Sequence, residues 1–174
     1  MDSEEIARIY GMMSVEEVIF YKNLIETFVQ IDDPLIINIG AGVGTSTIAA
    51  LEVRPEAFIF SVDNKPALEE GQNLYLCGIQ PSKALRILAD SAVAGRFFPL
   101  MVDLVFVDGE HTQEQIYGDI LVWIAKVKLG GLMLFHDYKH PNVPWITEAV
   151  DNAMKAGFEY LGEERFLVAF RREK

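Results

Sequence analysis

Cysteine, histidine and positive charge are all scarce in this chain. One cysteine among 174 residues, Cys77, excludes an intramolecular disulfide framework and suits a reducing compartment. The 15 Lys and Arg face 26 Asp and Glu, a formal net charge of −11. A phosphate backbone normally demands a basic face, so this balance argues against a nucleic-acid partner. The basic tail Arg171-Arg172-Glu173-Lys174 is too short to reverse it. No apolar run approaches the roughly 20 residues that span a bilayer, which argues against a membrane partner. The opening stretch MDSEEIARIY is acidic and lacks a basic n-region, so no secretory signal is expected and a cytoplasmic location is. No repeat, low-complexity tract or linker stands out. A small-molecule substrate becomes the default.

What is present is an ordinary globular composition, 51% hydrophobic and 24% charged, in a length that fits one domain over residues 1–174. The first 33 residues read as helices, Glu4–Tyr10 and Val15–Gln30. Ser14 and Glu17 form a capping-box pattern, and Asp32-Asp33-Pro34 is a break. From residue 34 onward, strand and helix signals alternate. Strands are expected at Leu35–Ile39, Ala57–Val62, Ala84–Leu88, Asp103–Val107 and Leu132–Phe135. Helices are expected at Thr45–Val53, Pro66–Cys77 and Pro144–Ala156, with another starting after a Thr112/Gln115 capping box and ending at Gly130-Gly131. Phe158–Leu161 and Phe166–Phe170 lie too close together for a parallel crossover and read as a hairpin. The expected fold is therefore α/β, a mostly parallel sheet with one antiparallel strand near its edge. The apolar residues Ile6, Ile9, Val18, Ile19 and Phe20 fit packing on the sheet or on a second subunit, so a homo-oligomer stays open. Phe58, Phe60, Phe106 and Phe135 read as core.

Polar residues gather at the carboxyl ends of the expected strands, where ligands sit in open α/β sheets. The first such end carries NIGAGVGTST, Asn38 to Thr47: a strand, a glycine-rich turn and a helix start. Glycine lets a ligand approach the main chain closely, and a helix start offers unpaired N–H groups. This is a nucleotide-type cofactor site. Asp63, about 19 residues after Gly44 and followed by Asn64, can accept both hydroxyls of a ribose. It can also be a simple turn aspartate. Asp90-Ser91, Asp108 to His111 and His136-Asp137 follow the later strands. The three histidines, His111, His136 and His140, all fall just after the fourth and fifth expected strands, which favours a site there, although His140, in His-Pro-Asn, reads as an exposed loop residue. Asp119 reads as a helix-surface charge, Asp103 as surface at the opposite end of the sheet, Glu110 as solvated, and Trp145 as packing or a substrate wall.

The glycines at 40, 42 and 44 fit the G-x-G-x-x-G dinucleotide spacing poorly. They resemble motif I of the class I S-adenosylmethionine-dependent methyltransferases. FSVDN resembles the second motif of that family and LADSA the third. The stretch from Leu104 to Tyr138, with VDG-x-H, an internal Asp, GG and then HD, resembles its small-molecule branch, which includes metal-dependent sugar and catechol O-methyltransferases. The resemblance covers the chain from about Leu35 onward. It implies a doubly wound Rossmann-like sheet of seven strands in the order 3-2-1-4-5-7-6, the last strand antiparallel, with helices on both faces.

The resemblance also implies S-adenosylmethionine as cofactor, held by Asn38, Gly40, Gly42, Gly44, Thr45, Ser46, Asp63, Asn64, Asp90, Ser91 and Asp108. A divalent cation such as Mg²⁺ would be held by Asp108, Asp137 and His136, and Asp108 and His111 would be catalytic, the histidine as general base. One residue departs from the family pattern. Asn38 stands where Glu or Asp is usual, so a charge-assisted contact to the methionine end of the cofactor is missing. The expected activity is O-methylation of a small molecule. The alternatives are a non-catalytic protein of the same fold that binds the cofactor or a metabolite, and an NAD-dependent oxidoreductase.

Overall fold

The structure is a computed structural model that describes residues 1–66, 68–155 and 157–174, and within these all side chains except those of Ile9, Tyr10 and Pro81. Its elements run α1 (Ser3–Tyr10), α2 (Val15–Phe28), β1 (Leu35–Ile39), α3 (Thr45–Val53), β2 (Phe58–Asp63), α4 (Glu69–Leu76), β3 (Ala84–Leu88), α5 (Ser91–Phe97) and β4 (Val102–Val107). They continue as α6 (Gln113–Trp123), β5 (Val127–Phe135), α7 (Pro144–Met154), β6 (Phe158–Glu164) and β7 (Leu167–Arg172). The expected helices Pro66–Cys77 and Pro144–Ala156 include Ala67 and Ala156, which lie outside the described residues, and α5 is a helix that the sequence did not lead us to expect.

Seven strands pair in the order β3-β2-β1-β4-β5-β7-β6. β1 to β5 are mutually parallel, and β7 is antiparallel to both its neighbours. This is the Rossmann-like arrangement expected of the sequence. Strand alternation divides the core in two. Ile36, Ile59, Leu104, Phe106, Leu132 and Leu134 pack under α1 to α3. Ile37, Val105, Val107, Met133 and Phe135 pack under α5 to α7. β4 is buried along its whole length, as a strand covered on both faces must be.

Several local expectations give way to packing. Gly130-Gly131 does not end a helix. α6 stops at Trp123, whose Nε1 donates to the Ser91 carbonyl at 3.1 Å, and both glycines lie within β5. There the register against β4 shifts, and a Cβ on Gly131 would lie 2.9 Å from the Asp103 carbonyl oxygen, so glycine answers a bulge. Asp103 sits opposite the ligand end but is buried. It accepts from Leu35 N at 2.9 Å and pairs with Lys128 at 2.8 Å. Phe58, expected in the core, is 43% exposed at the start of β2, under the Lys83 ammonium. Phe106 and Phe135 are buried and Phe60 is half-buried.

The N-terminal helices pack on the sheet. Ile6 and Val18 are fully buried in the α1–α3 face, Phe20 packs at its margin and Ile19 is exposed. The side chain of Ile9 lies outside the described set. The Ser14/Glu17 capping box forms in both directions. Among the described residues no helix is long and apolar enough to cross a membrane.

α5 and α6 pack tightly at Gly95, where a Cβ would lie 2.7 Å from Val122 Cγ2 and 2.9 Å from Trp123 Cε2. Gly95→Ala gains about 1 kcal/mol in helix propensity but overpacks this contact, at a typical cost of about 1–3 kcal/mol. We expect net destabilisation in a urea melt. An increase in the unfolding midpoint would show that α5 moves away freely.

Candidate active site

The loops after β1, β2, β4 and β5 are pinned side by side because the backbone ladder continues past the strands. Gly40 N donates to the Val62 carbonyl at 2.9 Å, Asp108 N to Ile39 at 2.9 Å, His136 N to Val107 at 3.0 Å and Ala89 N to Asp63 at 3.1 Å. The glycine turn and the acidic loop are therefore in direct contact. Gly40 has φ +78°, and a Cβ there would lie 1.9 Å from the Asp108 carbonyl oxygen. No other residue type fits that position.

A cleft of about 430 Å³ opens over these loops. Gly40, Gly42, Asp63, Asn64, Asp90, Ser91, Asp108 and His111, all expected at the site, line it. Thr45 and Ser46 are buried behind the turn and touch only a small recess. Thr45 Oγ1 donates to the Gly11 carbonyl between α1 and α2 at 2.9 Å. Gly44 has φ +95° and is the N-cap of α3. Asn38 lies beneath the turn, 1% exposed, with Nδ2 donating to Thr47 Oγ1 at 2.8 Å and Oδ1 buried without a partner among the described residues.

Asp63, at the end of β2, is held in a defined pose. Its Oδ1 accepts from Lys65 N at 2.9 Å, and its Oδ2 accepts from Gly42 N at 3.3 Å and pairs with Arg86 at 3.2 Å. Ser91 donates to the Asp119 carboxylate, and Gln115 Nε2 donates to Ser91 Oγ at 2.8 Å and to Asp119 at 3.1 Å. Thr112 does cap α6, accepting from Gln115 N at 3.3 Å, but the Gln115 side chain lines the cleft instead of closing a capping box. Asp119 is 1% exposed, against the expectation of a surface charge. It is three residues after Ile116 and four before Trp123, on the same buried stripe. Burial raises its pKa to about 6, opposed by the hydrogen bonds from Ser91 and Gln115 and assisted by Asp90.

Beyond Asp108 the cleft leads to a second cluster. Asp108, His111 and Asp137 each offer one ligand atom, all within 4.8 Å of one another. His111 Nε2 lies 2.6 Å from Asp137 Oδ2 and 3.9 Å from Asp108 Oδ1. The hydrogen bonds to Asp108 and Asp137 raise the His111 pKa to about 10, against a lowering by burial. Asp137 adopts φ +58°, a strained conformation for a non-glycine residue.

His136 reaches the same carboxylates from the buried side, its Nδ1 3.3 Å from Asp108 and 3.4 Å from Asp137, while its Nε2 lies 3.5 Å from Glu17. Burial opposes its charge, yet the three carboxylates push its pKa up to about 12. Glu17 is driven up by burial, but His136 and the N–H groups of Ser14 and Phe166 hold it at about 2. Burial likewise raises Asp137, and the two histidines outweigh it and push it below the ordinary range.

His140 stacks edge-on against Phe166 and its N donates to the Asp137 carbonyl at 3.1 Å, and Trp145 Nε1 donates to the His111 carbonyl at 2.8 Å. Glu110 lines the exposed rim. The sequence reading assigned no site role to Met12, Lys65 or Gln115 on the cleft wall, or to Arg86, Glu70 and Glu17 behind it.

A doubly wound sheet with a glycine turn, a carboxylate at the end of β2 and an acid–histidine cluster after β4 and β5 defines the α/β methyltransferase class of cleft. The chain belongs to the methyltransferase domain family, whose pattern matches residues 37–138. No curated protein is similar enough in sequence to match the chain. Among solved structures it resembles the O-methyltransferase NovP, with TM-score 0.79 and 13% identity over 95% of this chain and 83% of that one. It also resembles a candidate methyltransferase from Streptococcus mutans in complex with SAH, with TM-score 0.70 and 12% identity over 92% and 99%. An rRNA methylase from Streptococcus thermophilus shares the fold as well, with TM-score 0.70 and 14% identity over 89% and 95%.

Asp119 supplies a test of this packing. Its pKa is raised in the fold, so its neutral form adds stability below the ordinary carboxylate range, and that contribution is lost as pH rises through about 6. Asp119→Asn should gain about 2 kcal/mol relative to wild type between pH 4 and pH 7 and stay level above that. A stability gap independent of pH would show that Asp119 titrates normally.

Proposed function

We propose that this chain is an S-adenosylmethionine-dependent methyltransferase that methylates a hydroxyl group of a small molecule with the help of a divalent cation. One observation carries the reading: a single cleft joins the glycine turn and Asp63 to Asp108 and His111, which form a compact cluster with Asp137. Asp63 is posed to accept ribose hydroxyls, Ser91 and Gln115 flank the place of the base, and the unpartnered Asn38 Oδ1 is a spare acceptor under the turn. These features fit the nucleoside and amino-acid ends of the cofactor. Family membership and the SAH bound by a protein of the same fold support the same choice. The compact cluster also fits a cation. Asp108, Asp137 and His111 would hold it, and His136 stands behind the two carboxylates.

A bound divalent cation supplies a Lewis acid that lowers the pKa of an acceptor hydroxyl. The chain supplies alignment, since displacement at a sulfonium methyl depends on placing nucleophile, methyl and sulfur in line. Without a cation, His111 keeps its proton at neutral pH and donates to Asp108 and Asp137. Loss of that proton is the condition for either role, cation ligand or general base. Asp63, Asp90, Asp108 and Glu110 on the walls against Lys65 favour a neutral or cationic acceptor over a polynucleotide.

Calorimetric titration with S-adenosylhomocysteine, S-adenosylmethionine and NAD, each with and without Mg²⁺ or Mn²⁺, tests the reading. Both sulfur ligands should bind, and Asp63→Ala should weaken them on the order of tenfold or more. Asp137→Ala should abolish metal binding and leave S-adenosylhomocysteine affinity within about threefold, because Asp137 contacts no part of the glycine turn. Binding of NAD and neither sulfur ligand would overturn the cofactor, and metal binding that survives Asp137→Ala would overturn the cation site.

A further inference from the structure

We infer that Glu70 is a positioning residue for the cofactor turn: from α4 it supplies the buried carboxylate that position 38 lacks, and it steadies Asp63 through Arg86. The inference rests on the proposed cofactor. Glu70 is 4% exposed, and its side chain lies directly under Gly44, where a Cβ would come within 3.1 Å of Glu70 Cγ. Gly44 caps α3 without a side chain of its own. A carboxylate at that place balances the positive end of the helix.

The hydrogen bonds run in one direction. Asn38 Nδ2 donates to Thr47 Oγ1 at 2.8 Å, and the Thr47 hydroxyl donates its single proton to Glu70 Oε1 at 2.7 Å. Ser61 donates to the same oxygen at 2.6 Å. The other oxygen accepts from Arg86 Nη1 at 3.1 Å, and Arg86 Nη2 lies 3.2 Å from Asp63 Oδ2. A donor at 38 and an acceptor at 70 complete the chain. Two acceptors would compete for one hydroxyl proton, and two carboxylates would repel. Asn38 is thus the partner that a carboxylate at 70 requires, and Asn38→Asp does not repair a defect.

Four proteins decide the matter: wild type, Asn38→Asp, Glu70→Gln and the double variant. In the double variant the amide introduced at position 70 donates to Thr47, whose proton passes to the carboxylate introduced at position 38, so the chain runs backwards with one charge. Affinity for S-adenosylhomocysteine is measured by calorimetry on the folded proteins, and thermal unfolding is measured without ligand. Each single change should weaken binding by about tenfold, and the double variant should return to within about threefold of wild type. Thr47→Val should behave like the single variants and Thr47→Ser like wild type. Losses that add in the double variant, or affinities unchanged in both singles, would overturn the inference. Lower melting temperatures with unchanged affinity would reduce Glu70 to a structural role and overturn it equally. If wild type does not bind S-adenosylhomocysteine, the cofactor reading falls. The chain of hydrogen bonds is then judged on the unfolding cycle, where additive losses overturn it.

Discussion

Everything at this site depends on the close approach of two loop backbones. The ladder between β1 and β4 does not stop at the ends of the strands, and it carries Gly40 against the Asp108 carbonyl. Because Gly40 has no side chain, the turn after β1 and the acidic loop after β4 share one wall of one cleft. A side chain at 40 would force them apart, and with them the glycine-turn half and the acid–histidine half of the site. The sheet order supplies this juxtaposition, since β1 and β4 are neighbours where the winding of the sheet reverses.

The two halves solve the same electrostatic problem in the same way. In each, carboxylates at the cleft are backed by a half-buried basic side chain, which is in turn backed by a buried glutamate from a helix. Asp63 is followed by Arg86 and Glu70, and Asp108 with Asp137 is followed by His136 and Glu17. Burying unpaired charge is expensive, so each inner glutamate is also tied by hydrogen bonds: Glu70 by Thr47 and Ser61, Glu17 by the N–H groups of Ser14 and Phe166. Glu17 therefore links α2 to the β6–β7 hairpin and to the acid–histidine cluster at once. The result is a cleft whose carboxylates are held at fixed places before any ligand arrives.

The glycine turn and the polar residues at the strand ends were legible in the sequence because each is a local pattern with a local cause, whereas the strand order came only with the family resemblance. The inner supports were not. Glu16 and Glu17, like Glu69 and Glu70, are adjacent pairs, and only packing of the helix decides which member turns inward. Asp119 is more instructive. Its spacing from Ile116 and Trp123 places it on the apolar stripe, but a carboxylate there makes sense only with Ser91 and Gln115, and Ser91 is 28 residues away in sequence. The glycines at 130 and 131 look like a helix stop, yet their requirement is set by the approach of Asp103 across the sheet.

A backbone amide NMR titration with S-adenosylhomocysteine tests most directly whether one cleft holds an adenosyl sulfur cofactor along the glycine turn, Asp63 and Ser91 with its reactive end at Asp108. Saturable shifts should centre on the cleft wall, at Met12, Gly40–Thr45, Asp63–Lys65, Ala89–Ser91, Asp108–His111 and Gln115. Saturable shifts centred away from the cleft, or none at any concentration, would show that the ligand binds elsewhere or not at all.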